Sequence, residues 1–206
     1  MGRAAPYFLL QRLFLRQSFD LGGAEQTMDS DENQLAGQHI ENDLVITAEK
    51  ISVTDIFDAN AYAHDPKRDF MNWAVIDSGA FDYAADSWGY SYGVAGELNQ
   101  DWWTLRLGLF DLSRVPNDTA LVHGFGQYEL VGEGEERHTL LGHDGKAKLL
   151  LFVNRGRMGS YAGALALATA AHPDTAAVRK PASRPGGALN LDQGLSDALG
   201  GFLRFS

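Results

Sequence analysis

The 206-residue chain contains no cysteine, which excludes disulfide bonds, thiolate metal ligands and cysteine nucleophiles. Basic residues are also scarce: 17 Lys and Arg stand against 27 Asp and Glu, the net charge is −10, and the basic residues form no long run. Because nucleic-acid affinity depends mainly on clustered positive charge, we expect no nucleic-acid partner. The six histidines lack metal-ligand spacing and no glycine pattern fits a dinucleotide site, so we expect neither a metal nor a cofactor.

Long apolar runs are missing as well. The longest uncharged stretch, Met158–Pro173, consists mainly of Ala, Gly, Thr and Ser and is shorter than the ~20 apolar residues of a spanning helix. The apolar residues near the N-terminus are interrupted by Gln11, Arg12 and Arg16, so the pattern does not fit a signal peptide. Helical membrane proteins are excluded, whereas a β-barrel is not, because its strands need only ~9–11 residues of alternating polarity.

An alternation of period two is the strongest positive signal. Between Trp88 and Leu98 the even positions are mainly aromatic or aliphatic, and the odd positions are small or polar. The pattern returns between Trp103 and Leu109 after a short polar connection. Successive side chains of a strand point to opposite faces, so the pattern predicts two-faced strands. With 23 Gly and similar segments elsewhere, we expect an all-β antiparallel fold of roughly eight strands.

Two regions interrupt this rhythm. Residues 55–86 are rich in aromatics, Asp and Asn, and predict a long irregular loop of the kind that usually carries function. The Ala-rich stretch Ala162–Ala171 predicts a short helix within another loop.

Alternation alone leaves the environment of the strands open. In a soluble barrel or sandwich the apolar face forms the core and the polar face meets water. In an outer-membrane barrel the apolar face meets lipid and the polar face lines a lumen. Trp88, Tyr90, Trp102 and Trp103 lie near strand ends, where aromatic girdles sit, and this favours the membrane.

Two groups of residues support an enzymatic alternative. A G-x-S-x-G sequence centred on Ser91 is followed by Asp111 and His123, the order that a hydrolase of this kind uses, but it lies inside an alternating strand. Glu133 and Glu135 share a strand face and could act as acid and base in glycoside hydrolysis, although such carboxylates are usually solvated or paired. A soluble β-rich hydrolase that uses Ser91 or the Glu133 and Glu135 cluster is therefore the alternative to a membrane channel.

Six blocks of the chain form a specific set. They are Val53–Pro66, Asp69–Ala74, Gly79–Asp86, Trp88–Tyr90, Leu109–Ser113 and Phe152–Gly159. Together they resemble the carbohydrate-selective porin (OprB-like) family of Gram-negative bacteria, and the resemblance extends from about Leu13 to Leu199. It implies a transmembrane β-barrel of sixteen strands in the cell outer membrane that passes carbohydrates by passive, facilitated diffusion and is not an enzyme.

The resemblance also implies an organisation for the chain. Residues 1–206 would form one porin β-barrel domain, truncated at both ends and roughly half of the full barrel, with 55–86 as a long loop folded into the pore. The expected partners are transported sugars, outer-membrane lipid, and a second copy or a complementary fragment, because an open strand edge is not tolerated in lipid. Since no signal peptide is expected, a non-functional porin remnant is a further alternative.

Candidate pore-lining residues follow from the alternation and from the long loop. Those on predicted strands are Glu97, Arg106, Glu129, Glu133 and Arg155, and those in the loop are Asp55, Asp58, Asn60, His64, Asn72 and Trp73. Charged and amide groups can hydrogen-bond sugar hydroxyls, and aromatic rings can pack against the apolar faces of sugar rings. The Asp and Asn residues of the loop could instead only cap turns.

Overall fold

A computed structural model of the chain describes residues 6–30, 33–167 and 172–206. Eight strands form one antiparallel sheet in which each strand pairs with its neighbours in sequence. They are β1 (Leu13–Met28), β2 (Gly37–Ile51), β3 (Ser91–Gln100), β4 (Trp103–Asp111), β5 (Tyr128–Leu140), β6 (His143–Met158), β7 (Lys180–Ser196) and β8 (Leu199–Phe205). The predicted all-β antiparallel fold is confirmed.

Helical structure is confined to the connections. The described helices are α1 (Trp73–Ile76), α2 (Tyr161–Leu167) and the 3-10 helices Val53–Asp55 and Thr175–Val178. Helix α2 matches the helix predicted from the Ala-rich stretch, and positions 168–171 of that prediction lie outside the described residues.

The predicted start of β3 at Trp88 is wrong by three residues. Residues 88–90 form a turn instead, because the Asp86 carboxylate accepts hydrogen bonds from the backbone N–H groups of Trp88 at 2.9 Å and Tyr90 at 3.2 Å. The strand therefore begins at Ser91. An Asx-type turn of this kind competes with strand pairing, which the alternating pattern does not reveal.

The two ends of the sheet differ in the length of their connections. Two-residue turns join β3 to β4, β5 to β6 and β7 to β8 at one end, which we call the turn end. Residues 52–90, 112–127 and 159–179 make the connections at the opposite end, which we call the loop end. The longest of these connections, residues 52–90, is called the infolded segment below because it lies across the sheet.

The two faces of the sheet have opposite character. One face, called the leucine face, carries apolar side chains that remain exposed; Leu107 and Leu151, for example, are 57% and 59% exposed. The other face, called the covered face, carries most of the polar and charged strand residues and is buried beneath the infolded segment. A soluble sheet would bury its apolar face, so this arrangement is the reverse of the soluble one.

A small apolar core joins the infolded segment to the covered face. Phe57 of the segment and Phe110 of β4 are fully buried, with edge-to-face rings 6.2 Å apart. Phe81 of the segment packs against Phe152 of β6 at 5.2 Å. Gly108 makes the first contact possible, because a Cβ there would lie 2.5 Å from the Phe110 ring and 2.9 Å from the Phe57 ring. Aromatic burial therefore holds the segment against the sheet.

The edges of the sheet are open. Within the described residues, β1 pairs only with β2 and β8 pairs only with β7. No helix in the described ranges is long and apolar enough to cross a membrane.

Candidate functional site on the covered face

Register brings three of the predicted strand residues together. Glu97, Arg106 and Glu133 are cross-strand partners on β3, β4 and β5, on the covered face. The Arg106 guanidinium donates from Nε to Glu97 at 3.1 Å and from Nη1 to Glu133 at 2.8 Å. The Glu133 side chain is 1% exposed and that of Arg106 is 13% exposed, so the pair is largely removed from water. Charge-assisted hydrogen bonds in such a setting are short, strong and orienting.

A second row extends this charge cluster toward the turn end. Glu135 receives a hydrogen bond from Arg106 at 2.9 Å and another from Arg137 at 2.8 Å. Lys148, its cross-strand partner on β6, lies 3.5 Å away and also donates to the carbonyl oxygen of Ala59. Three cations thus balance three carboxylates across β3 to β6, and this compensates for much of the desolvation of each charge.

Asp58 fixes the infolded segment to this cluster. Its backbone N–H donates to the Glu133 carboxylate at 2.8 Å, and its own carboxylate accepts from the Ser78 hydroxyl at 2.8 Å and from Asn190 at 3.1 Å. Arg204 of β8 donates to the Asp58 carbonyl oxygen at 2.7 Å. Asp58 has a φ of 60°, a left-handed conformation that Asp tolerates better than most residues. Asp58 therefore anchors the segment, and its carboxylate faces protein groups.

Two more predicted loop residues are anchors of the same kind. Asn60 donates to the side-chain oxygen of Asn190 at 2.6 Å, while its own oxygen accepts from the backbone N–H of Tyr62 at 2.9 Å. Asp55 accepts two hydrogen bonds from the Arg12 guanidinium, at 2.7 and 2.8 Å. These contacts tie the start of the segment to β7 and to the chain just before β1.

The remaining predicted loop residues lie on or near the side of the segment that faces away from the sheet, called its open side below. Trp73 is 66% exposed, and Asn72 caps α1 by accepting from the Ala74 N–H at 3.0 Å. His64 is half-buried; burial, assisted by the nearby Arg204 charge, lowers the pKa of His64. Of the six loop candidates, Asp58 and Asn60 are thus buried between the segment and the sheet, and Asn72 and Trp73 are presented outward.

Two predicted strand residues lie apart from the charge cluster. Arg155 lies on the leucine face and is exposed, with Nη1 3.3 Å from the Ser183 hydroxyl, so its predicted position on the polar face is wrong. It follows Leu149, Leu151 and Val153 at alternate positions of β6, and this parity assigns it to their face. Glu129 is fully buried on the covered face beside Asn154, nearer the loop end.

The residues of the enzymatic alternative do not assume the geometry it needs. Ser91 is fully buried at the start of β3, and its hydroxyl donates to the carbonyl oxygen of Asp111 at 2.5 Å. The G-x-S-x-G sequence therefore runs from a turn into a strand, without the strand-to-helix elbow that exposes a nucleophile. His123 lies 3.5 Å from the Asp111 carboxylate and is mostly exposed. No group of three or more His, Asp or Glu residues that could hold a metal occurs in the described ranges.

The sequence prediction of pore-lining residues missed several members of the charge cluster and two partners of Asp58. They are Glu135, Arg137, Lys148, Asn190 and Arg204. Parity offered a signal, since Glu135 and Arg137 stand at the same parity as Glu133, and Lys148 stands at the opposite parity to Leu149 and Leu151. The register between strands distant in sequence offered none, because pairing is a tertiary property.

Comparison with known proteins agrees with this architecture. No curated protein and no solved structure matches the chain. One family model, described as "Carbohydrate-selective porin, OprB family", matches residues 1–205. The chain therefore belongs to the carbohydrate-selective porin (OprB) family.

Proposed function

We propose that this chain builds the wall and the constriction of an outer-membrane channel that passes carbohydrates by passive diffusion. Membership of a porin family implies a channel without enzymatic activity, and proteins of this family reside in the outer membrane. The observation that carries the proposal is that the infolded segment is held across the charged, covered face of the sheet, while the opposite leucine face is apolar and exposed.

The leucine face supports a membrane environment for the sheet. Its exposed Leu residues recur on β1, β4, β5, β6, β7 and β8, which makes an apolar band too extensive for a soluble surface. Strands β1, β2, β5, β6 and β7 have 13 to 17 residues, more than the ~9–11 needed to cross a bilayer. The apolar face would meet lipid and the covered face would look toward the lumen.

The infolded segment supports a constriction. Asp58, Asn60 and Glu133 hold it in place from within, and Glu129 lies buried beneath it. Asn72 and Trp73 project from its open side and would meet a passing solute, with His64, Asp55, Glu97 and Arg106 at its margins. An aromatic ring beside amide and charged groups suits a hydroxylated, ring-shaped solute. Such a narrow, lined passage would let small sugars through and retard bulkier solutes.

The open edges bear on how the channel closes. An unpaired strand edge is not tolerated in lipid, so we propose that β1 and β8 pair with further strands, supplied by a second copy of the chain or by a complementary strand set. A variant with cysteine at both Leu15 of β1 and Leu203 of β8 would trap a two-copy assembly as a disulfide-linked dimer, since β1 of one copy would pair with β8 of the other. Absence of this dimer, in a sample that conducts, would favour a complementary strand set.

The channel proposal is tested with the full chain refolded in detergent and reconstituted in liposomes. Migration of unheated samples on gels reports folding, and swelling in isosmotic D-glucose reports sugar entry. We expect a heat-modifiable species and swelling that is faster for glucose than for a trisaccharide. A folded species with no glucose-dependent swelling contradicts the proposal, and so does a chain that gives no folded species in any reconstitution.

A further inference from the structure

The middle of the infolded segment, residues 62–80, carries the outward-facing Asn72 and Trp73 and lies against β8. The β8 residues that face it stand at one parity, on the covered face of the sheet. They are Gly200, Phe202 and Arg204, and Ser206 continues the same parity just beyond the strand. We call these four residues the β8 row.

Arg204 binds the segment at two separate points. Its guanidinium donates to the carbonyl oxygen of Val75 in α1, the helix that begins with Trp73, and to the carbonyl oxygen of Asp58 at 2.7 Å. The Arg204 side chain is 7% exposed, so little water competes for these contacts. Carbonyl groups in the last turn of a helix have no intrahelical partner, and a cation is favourable there. Arg204 therefore fixes α1 against β8.

Two other members of the row contact the segment through their side chains. The ring of Phe202 lies 5.7 Å from the ring of Phe70. The hydroxyl oxygen of Ser206 accepts a hydrogen bond from the backbone N–H of Ala80 at 3.0 Å. These contacts flank α1 on both sides, so β8 holds the middle of the segment along its length.

Gly200 lets the start of this stretch approach β8 closely. A Cβ at Gly200 would overlap the ring of Tyr62, so a larger residue there would displace the ring. At Gly201, on the leucine face, a Cβ would lie 3.9 Å from Cδ1 of Leu195, an ordinary van der Waals contact. The absence of a side chain thus matters to the segment at Gly200 and not at Gly201.

The anchors on β4, β5, β6 and β7 hold the two ends of the segment. Phe57, Asp58 and Asn60 fix its first part, and Phe81 fixes its last part. A connection held only at its ends is free to move in the middle, because few contacts oppose local opening there.

We propose that the β8 row is the positioning element for the middle of the infolded segment. Arg204, acting through α1, sets how far Trp73 reaches across the channel and therefore how large a solute passes. This inference rests on the proposed function, because the size of a passing solute has meaning only if the chain forms a channel.

Arg204→Met tests the proposal against Arg155→Met, in which an exposed arginine of the leucine face loses the same charge. Both full chains are refolded in detergent and reconstituted, and liposome swelling is measured in D-glucose and in the trisaccharide raffinose. We expect Arg204→Met to lower the ratio of glucose to raffinose swelling rates toward one, and Arg155→Met to keep the wild-type ratio. Arg204→Lys should lie between them, because a single ammonium lacks the planar fork that binds two carbonyl groups.

Gly200→Ala and Gly201→Ala test the same inference without a change of charge, and they decide it if Arg204→Met does not fold. Gly200→Ala should displace Tyr62 and lower the ratio, whereas Gly201→Ala should keep it. Unheated gel migration reports the folding of every variant. Wild-type ratios in the folded Arg204 and Gly200 variants, or equal ratios in the two glycine variants, would overturn the positioning role.

Trypsin cleavage after Lys67 and Arg68 separates this inference from the function on which it rests. Both are exposed residues in the middle of the segment, and cleavage requires the surrounding chain to open locally. Faster cleavage in Arg204→Met than in Arg155→Met, without glucose entry in the wild type, would keep β8 as the positioning strand and remove the channel. Glucose entry in the wild type, with unchanged cleavage and an unchanged ratio in Arg204→Met, would remove the positioning role and leave the channel.

Discussion

Replacing Arg106 with methionine removes the cation that joins Glu97, Glu133 and Glu135 across three strands. Methionine keeps the length and the apolar stem of the side chain, so the change isolates the loss of charge. Glu135 retains Arg137 at 2.8 Å and Lys148 at 3.5 Å. Glu133 retains a single backbone N–H, from Asp58, although its side chain is 1% exposed.

The magnitude follows from that imbalance. Removing one partner of a buried ion pair typically costs about 3–5 kcal/mol, because the remaining charge is left desolvated. Glu133 meets this description, whereas Glu135 is largely compensated and Glu97 is 18% exposed and partly hydrated. We therefore expect the free energy of unfolding to fall by about 3 kcal/mol, the lower end of that range.

Urea unfolding of the refolded protein, followed by tryptophan fluorescence and by unheated gel migration, measures the change. Arg155→Met is the matched control, since Arg155 is an exposed arginine on the leucine face. An exposed substitution away from such a cluster usually changes stability by no more than about 0.5 kcal/mol. Arg155→Met should therefore unfold close to the wild type.

A second variant tests whether the stranded charge is the cause. In the double variant Arg106→Met with Glu133→Gln, the carboxylate that would have lost its cation beneath Asp58 is replaced by a neutral amide. The double variant should be more stable than the sum of the single effects predicts, by about 1–3 kcal/mol. Equal losses in Arg106→Met and Arg155→Met, or strict additivity in the double variant, would refute the reasoning.

Two other perturbations probe the infolded segment. Gly108→Ala places a Cβ 2.9 Å from the Phe57 ring, so it should lower the free energy of unfolding by about 1–3 kcal/mol and raise single-channel conductance by loosening the segment. The control Gly134→Ala, which has no atom within 4 Å of its Cβ, should change neither quantity. A Gly108→Ala channel with the same conductance as the wild type would contradict the constriction. Burial, with a smaller contribution from the Asp58 charge, raises the pKa of Asp77 to about 6. The folded state therefore holds this proton more tightly than the unfolded state, and ionisation of Asp77 lowers stability as the pH rises through about 6. Asp77→Asn should raise the free energy of unfolding by up to about 3 kcal/mol near pH 8 and change it little near pH 3.5; equal gains in urea unfolding at both pH values would refute the ionisation argument.

The error at Arg155 shows how far local pattern extends. The prediction counted Arg155 among the lumen residues given by alternation, yet it stands at the same parity as Leu149, Leu151 and Val153 in β6. Applied consistently along that strand, alternation assigns Arg155 to the leucine face. A long arginine near a strand end can still reach polar surroundings from an apolar face.

The loop residues show the opposite limit. Composition marked residues 55–86 as functional, but nothing in the sequence separated Asp58 and Asn60, which anchor the segment, from Asn72 and Trp73, which are presented outward. The partners of Asp58 and Asn60 include Asn190, about 130 residues later in the chain. Contacts of that separation depend on sheet register, which local periodicity leaves undetermined.

By itself the sequence determined that this protein is built of two-faced antiparallel strands, because side-chain alternation is a property of each strand alone. It also determined the family, through blocks of residues that act as a set. Tertiary structure decided which face is covered, since burial depends on what packs against a face. It also brought Glu97, Arg106 and Glu133 into one cluster, because this requires strands distant in sequence to meet in one register.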